Sequence, residues 1–163
     1  MYHFTDYSGL PVTLTFDPKI YIERLARHVL VFAFWNDKLL FTLHTKRGIE
    51  LPGGKVEAGE SSIVAAIRET YEETGCILSA IEKVGQYTVN HTIVKDIFIA
   101  KVERQTNYSL EGTVGGLVLF DELPLDIKAD ERFSPFLKDD VYPLTLQHLR
   151  SHPFCPIPHS QQL

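Results

Sequence analysis

Residues 53–76 read GGKVEAGESSIVAAIRETYEETGC: a glycine pair, a short turn, then a helical segment with Glu69, Glu72 and Glu73 near its end. On an α-helix, side chains three and four apart share a face, so Glu69 has both Glu72 and Glu73 as neighbours. The like-charge i,i+4 pair Glu69–Glu73 costs about a few tenths of a kcal/mol on a bare helix. No lysine lies within the segment, and the spacing points Arg68 away from the centre of the acidic cluster. At about 100° per residue, Ile63, Ile67, Thr70, Tyr71 and Thr74 fall on one side, and the three glutamates span roughly 100° of the opposite side. The expectation is an apolar side packed inward and an acidic side without a protein cation. The stretch calls for a positive partner from outside the chain.

Composition bounds what surrounds it. A chain of 163 residues with 44% hydrophobic content suits one globular domain that needs no covalent staples. Two cysteines, Cys76 and Cys155, are too few for a disulfide framework and lack zinc spacing, which fits a reducing, cytoplasmic setting. Cys76 is expected to be a small packed hydrophobe. The N-terminal MYHFTDYSGLP has no basic or apolar leader character, and no run reaches membrane-spanning length. A net charge of −5 argues against a general nucleic-acid binder, while leaving room for a local basic patch. Neither H-x-x-x-H nor C-x-x-C occurs, so a His-based metal site has little support.

Read in order, residues 2–16 form a hairpin or edge pair, with Val12, Leu14 and Phe16 alternating against Thr13 and Thr15. Residues 17–27 read as one helical turn or a loop. The run HVLVFAFW (28–35) is apolar, of strand length and rich in Val and Phe, so a strand buried on both faces is expected. Asn36-Asp37 then turns into a second strand, KLLFTLH (38–44), followed by a loop and a short strand, Ile49 to Leu51, that feeds the glycine pair. The acidic helix starts at a serine cap, Ser61 or Ser62, and stops at Gly75. Strands follow at 77–89, 92–102 and 117–120, with a polar loop at 103–116 long enough to carry function. A last helix covers about 142–151, and 153–163 form an irregular tail. The fold class is a single-domain α/β sandwich with a mixed sheet over residues 1–163, its N-terminal edge strands within 1–20.

Gly54, Glu60, Arg68-Glu69, Glu72-Glu73 and Gly75 form the pattern G-x5-E-x7-R-E-U-x-E-E-x-G-U, where U is a bulky aliphatic residue. This resembles the signature of the Nudix hydrolases at every fixed position; two U positions depart, holding Thr70 and Cys76. The N-terminal MYHFTDYSG, the PGGKVE turn and FLKDDVYPLTLQHL extend the likeness to MutT-type members from Bacillus and relatives. The resemblance implies a Nudix-type α/β/α sandwich. It also implies hydrolysis of the pyrophosphate linkage of a nucleoside triphosphate, 8-oxo-dGTP being the candidate, to monophosphate and pyrophosphate. The alternative is a pyrophosphohydrolase acting on 5′-triphosphorylated RNA, and a rival of another class is a non-catalytic nucleotide sensor, which would be expected to lack box glutamates. No protein or membrane partner is inferred.

The residue types justify that chemistry independently. Cleaving a phosphoanhydride requires neutralising phosphate charge and delivering water in line, and Mg²⁺ prefers oxygen ligands bridging to substrate phosphates. By the resemblance, Glu72 and Glu73 are metal ligands, Glu69 is ligand or general base, and the Gly53 carbonyl completes the shell around Mg²⁺, with Mn²⁺ as a substitute. Arg68 would orient a glutamate through a bidentate pair, and Glu60 would support the loop–helix geometry or touch the metal through water. A further carboxylate is expected from a later loop, with Glu111 as candidate and Asp121 and Glu122 behind it. Arg47 and Lys55 flank the glycine turn as candidate phosphate ligands. Trp35, Tyr87 and Phe120 are candidate base-stacking aromatics, although aromatics on strands usually belong to the core.

Overall fold

A computed structural model of the chain describes residues 1–23, 26–106 and 114–157. Its centre is β3 (His28–Trp35), whose side chains alternate between two cores, as an apolar run of this length predicts. Val29, Val31 and Ala33 point to one side with Phe98 and Ala100, while Phe32 and Phe34 point to the other with Ile97 and Ile99. β3 pairs in parallel with β9 (Ile93–Gln105), which is antiparallel to the long β8 (Cys76–Val89). Beyond β8 come β2 (Pro11–Thr15) and β1 (Tyr2–Thr5), the expected N-terminal hairpin.

The other edge of β3 is shared. Its last residues pair with β4 (Lys38–Leu39) and its first with β7 (Gly53–Lys55). The expected glycine turn is therefore also a short strand, seated on the central strand of the sheet. A smaller sheet runs in the order β10 (Val114–Val118), β5 (Phe41–His44), β6 (Gly48–Glu50).

Helix α1 (Ser62–Thr74) covers one face of the large sheet. Helix α2 (Val141–Leu149) covers the other through Val141, Tyr142, Leu146 and Leu149. The mixed sheet between two helices is the α/β/α arrangement expected. No helix among the described residues is long and apolar enough to cross a membrane.

Three local expectations change. KLLFTLH is two strands, because Leu40 faces the α1 core while Leu39 and Phe41 face the α2 core, and the chain changes sheets at that point. The strand expected at 117–120 ends at Val118, and Phe120 turns back to pack edge-on against Phe41, centroids 5.3 Å apart. In α1, the bulky residues expected inward are largely outward: Ile63, Ile67 and Tyr71 are 40%, 42% and 36% exposed. The helix is buried instead through Ala65, Ala66, Thr70 and Thr74. Small side chains let it lie close to the sheet, and the hydroxyls of Thr70 and Thr74 donate to the carbonyls of Ala66 and Thr70 at 2.8 and 2.6 Å.

Candidate active site

Because α1 docks through alanines and threonines, Glu69 and Glu73 fall within its buried arc, rather than opposite it. Both ends of the helix are fixed. Ser61 Oγ accepts from the N–H of Val64 at 3.3 Å, and Gly75 closes the helix at φ +72°. The glycine pair is shaped by what it must avoid. A Cβ on Gly53 would lie 2.3 Å from the carbonyl oxygen of Val29, and one on Gly54 would lie 2.6 Å from Glu69 Cδ. Gly53 therefore seats β7 on β3, and Gly54 leaves room for the Glu69 carboxylate.

Arg68 does not point away from the acidic cluster. Its Nε and Nη2 donate to Glu60 at 2.7 and 2.9 Å, its Nη1 donates to Glu69 and Glu72 at 3.0 and 3.2 Å, and Nη2 also reaches the Lys55 carbonyl at 2.9 Å. A Cα-based helical count misplaces this guanidinium, because a long side chain sweeps back along the helix surface. The Arg68 hydrogen bonds, followed by the N–H of Glu57, hold the Glu60 carboxyl down at about 2. Part of the missing positive charge is thus internal.

Glu73 is turned to the glycine pair instead. Its Oε1 accepts from the Gly53 N–H at 3.3 Å, and it shares a hydrogen bond with Glu69. Burial first, then that shared bond and the charge of Glu69, push its pKa up to about 9, against the opposing pull of the Gly53 N–H. These causes favour the protonated form of this carboxyl in the absence of a cation. As placed, no three His, Cys, Asp or Glu side chains among the described residues converge as a finished metal cage. Glu69 and Glu72 are turned to Arg68, and Glu73 to the glycine turn. The donor chemistry nonetheless fits a hard divalent ion, since the set is carboxylate and carbonyl oxygen only.

A cleft of about 380 Å³ opens onto the same glycines, walled by Arg47, Tyr87, Lys95 and Phe136. Arg47 is held by Glu50 through two hydrogen bonds of 2.8 and 3.1 Å and lies over the Phe136 ring. Past Tyr87, Lys95 and Phe136 a second cavity of about 200 Å³ continues to Asp6 and Asp139. Burial foremost raises Asp139 to about 6, and burial, then Lys95, lowers His28 to about 4.

Of the residues expected here, Glu69, Glu72, Glu73, Arg68, Glu60, Gly53 and Lys55 come together. Arg47 lies across the cleft, and Lys55 lines it with an exposed side chain. Glu111 lies outside the described residues. Asp121 pairs with Lys38 at 3.6 Å, and Glu122 is exposed; no contact brings either to the box. Tyr87 faces the cleft, but Trp35 packs toward the α1 core and Phe120 stacks on Phe133. Cys76 is buried and free, as expected. Sequence reasoning missed Glu50, Lys95 and Phe136. A lysine inside the apolar run TIVKDIFIAKV was the one available signal, since strand interiors rarely carry an unpaired charge.

The NUDIX domain description matches residues 24–137 of the chain. A Bacillus subtilis (strain 168) protein named "Putative 8-oxo-dGTP diphosphatase YtkD" is 39% identical, the match covering 92% of this chain and 96% of that protein. The crystal structure of the Bacillus subtilis pyrophosphohydrolase BsRppH superposes with a TM-score of 0.88 at 37% identity, covering 94% of this chain and 99% of that one. The NUDIX domain of Shewanella oneidensis NrtR, solved with ADP-ribose, shares the fold alone, with a TM-score of 0.55 at 17% identity over 82% and 93%. The matched span, the Bacillus subtilis sequence and structure matches and the complete acidic box agree: the chain belongs to the Nudix hydrolase family.

Proposed function

We propose that this Nudix hydrolase is a Mg²⁺-dependent pyrophosphohydrolase that cleaves a nucleoside triphosphate to monophosphate and pyrophosphate, with 8-oxo-dGTP as the candidate substrate. Nudix hydrolases generally need a divalent metal. One observation carries the reading: Glu69 and Glu73 are folded against the glycine turn that also floors the cleft. A polyphosphate lying in the cleft meets the acidic helix at that turn.

Glu69, Glu72, Glu73 and the Gly53 carbonyl would hold Mg²⁺, which supplies neutralisation of phosphate charge and a more acidic bound water. Glu73 would hold the ion in its carboxylate form. Glu69, next to both Arg68 and Glu73, would accept a proton from the attacking water. Arg68 fixes the glutamate rotamers and binds the box loop through Glu60 and the Lys55 carbonyl. Arg47 and Lys55 face the phosphates. Glu111 is the candidate for an added carboxylate, and a cytoplasmic setting fits two free cysteines.

A second reading is removal of pyrophosphate from 5′-triphosphorylated RNA. The second cavity past Lys95 favours it, because it offers room for more than the triphosphate and one nucleoside. The complete set of box glutamates speaks against a sensor without catalysis.

The test is a substrate panel at equal concentration: dGTP, 8-oxo-dGTP, ATP, ADP-ribose, a dinucleoside tetraphosphate and 5′-triphosphate RNA, with pyrophosphate and orthophosphate quantified separately. The proposal expects pyrophosphate release, fastest from 8-oxo-dGTP. Faster turnover of the RNA selects the second reading. Orthophosphate as the main product from every triphosphate rules out the proposed bond.

A further inference from the structure

Arg47 stands in a turn whose shape is set before substrate arrives. His44 Nδ1 accepts from the backbone N–H groups of Lys46 and Arg47 at 3.2 and 3.0 Å. Gly48 follows at φ +106°, where an added Cβ would lie 2.5 Å from the carbonyl oxygen of Arg132. From this base the side chain of Arg47 meets Glu50, which accepts from Nε and Nη2 at 2.8 and 3.1 Å. Beneath it lies Phe136, with 4.5 Å from the guanidinium carbon to the ring centroid, and Phe136 itself rests on Tyr7 at 5.0 Å.

A guanidinium has five N–H donors. Glu50 occupies two of them and Phe136 covers one face, so three donors remain at the cleft that also holds Gly53 and Gly54. An unrestrained arginine must lose much rotamer freedom when it grips a phosphate. Here most of that freedom is already gone in the folded protein, so a bound anion is gripped with less ordering. The arrangement has a second side. The Glu50 side chain lines the same cleft and is 17% exposed, so without Arg47 it would present a bare carboxylate to the polyphosphate.

We propose that Glu50 is a positioning residue for substrate: it presets Arg47 on Phe136 to receive an anionic phosphate group, and Arg47 in turn cancels the charge of Glu50. The inference rests on the polyphosphate reading of this cleft. It requires that losing Glu50 harm binding when Arg47 is present and help binding when Arg47 is absent.

The experiment is steady-state kinetics on the best triphosphate of the panel, with Glu50→Ala, Glu50→Gln, Arg47→Ala and the Arg47→Ala/Glu50→Ala double variant, each checked by thermal melting. Glu50→Ala is expected to raise KM about tenfold with kcat changed less than about threefold. Arg47→Ala is expected to raise KM about thirtyfold, and the double variant to recover about threefold to tenfold of that loss. Glu50→Gln, which keeps the shape and removes the charge, falls between wild type and Glu50→Ala. The inference is overturned if Glu50→Ala raises KM by the same factor in both backgrounds, if it leaves KM unmoved, or if it lowers kcat alone. Should Glu50→Ala misfold, Glu50→Gln with and without Arg47→Ala carries the same cycle, and the same sign reversal is required. Wild-type protein that turns over no triphosphate removes the functional reading and this inference together; turnover with an indifferent Glu50 removes the inference only.

Discussion

The acidic helix and the cleft wall handle charge in opposite ways. Around the helix, one guanidinium, Arg68, is shared among Glu57, Glu60, Glu69 and Glu72, and burial beside Glu69 raises the pKa of Glu73. Across the cleft, Arg47 pairs with Glu50, and half-buried Lys95 lies over the Tyr87 ring, 5.6 Å from its centroid. The first region is under-neutralised and would be completed by a cation, whereas the second carries its cations ready-made and would be completed by an anion. The proposed metal–polyphosphate substrate would satisfy both at once. Neither region alone specifies the reaction.

The comparison can be broken first at the glycines. Gly54→Ala places a methyl group against the Glu69 carboxyl, so kcat should fall about a hundredfold with little change in melting temperature. Gly53→Ala clashes with backbone instead, and the measurement should show destabilisation of about 2 kcal/mol or more along with lost activity. Equal behaviour of the two variants would refute the assigned division between seat and site.

Arg68→Ala is the next largest. It frees Glu69 and Glu72 and detaches the Lys55 carbonyl, and activity should drop about 10- to 100-fold, the usual cost of losing a residue that orients metal ligands. Arg68→Lys should restore little, because an ammonium cannot reproduce the forked contacts to Glu60.

The proton on Glu73 supplies a pH test with a definite sign. Its folded pKa of about 9 stands above the ordinary 4.5, so the stability this group contributes is full below about 4.5 and is lost as pH rises toward 9. Metal-free protein should therefore melt lower at pH 8 than at pH 6. Loading with Mg²⁺ displaces that proton, so metal affinity should climb by up to about tenfold per pH unit across this window. Calorimetry in buffers of different ionisation enthalpy would detect the released proton; flat affinity from pH 6 to 8 would contradict the protonated carboxyl.

The smallest expected effect belongs to the wall's aromatic lining. Tyr87→Leu removes a stacking surface beside the cleft, and KM should rise about threefold to tenfold while kcat holds. A kcat effect in place of a KM effect would move Tyr87 from the wall to the chemistry.

The two regions also differ in how far the sequence exposes them. The box is contiguous, so Gly54, Glu60, Arg68 and the three later glutamates are legible as a spacing, as is Gly75 as a helix stop. The orientation of that helix was not legible. Hydrophobic periodicity points Ile63, Ile67 and Tyr71 inward, yet close approach to the sheet selects Ala65 and Ala66, a decision made by the partner strands β3 and β9. Arg68 was misplaced for a related reason, since a helical wheel locates the Cβ and not a guanidinium several bonds further out. The cleft wall is assembled from β6, β8, β9 and the loop before α2, segments up to about ninety residues apart, and only topology brings Glu50 to Phe136. Strand β3 was legible to the residue because a run buried on both faces carries its own boundaries.

The central claim is that the glutamates on α1 hold a divalent metal that makes phosphoanhydride cleavage possible. It is tested most directly by nucleoside triphosphate turnover against Mg²⁺ concentration in the wild type, Glu69→Gln and Glu73→Gln. The account predicts no turnover without metal, saturable activation in the wild type, and a loss of about a thousandfold or more in each variant with the fold intact. Undiminished turnover in both variants, or wild-type turnover in the presence of chelator, would contradict it.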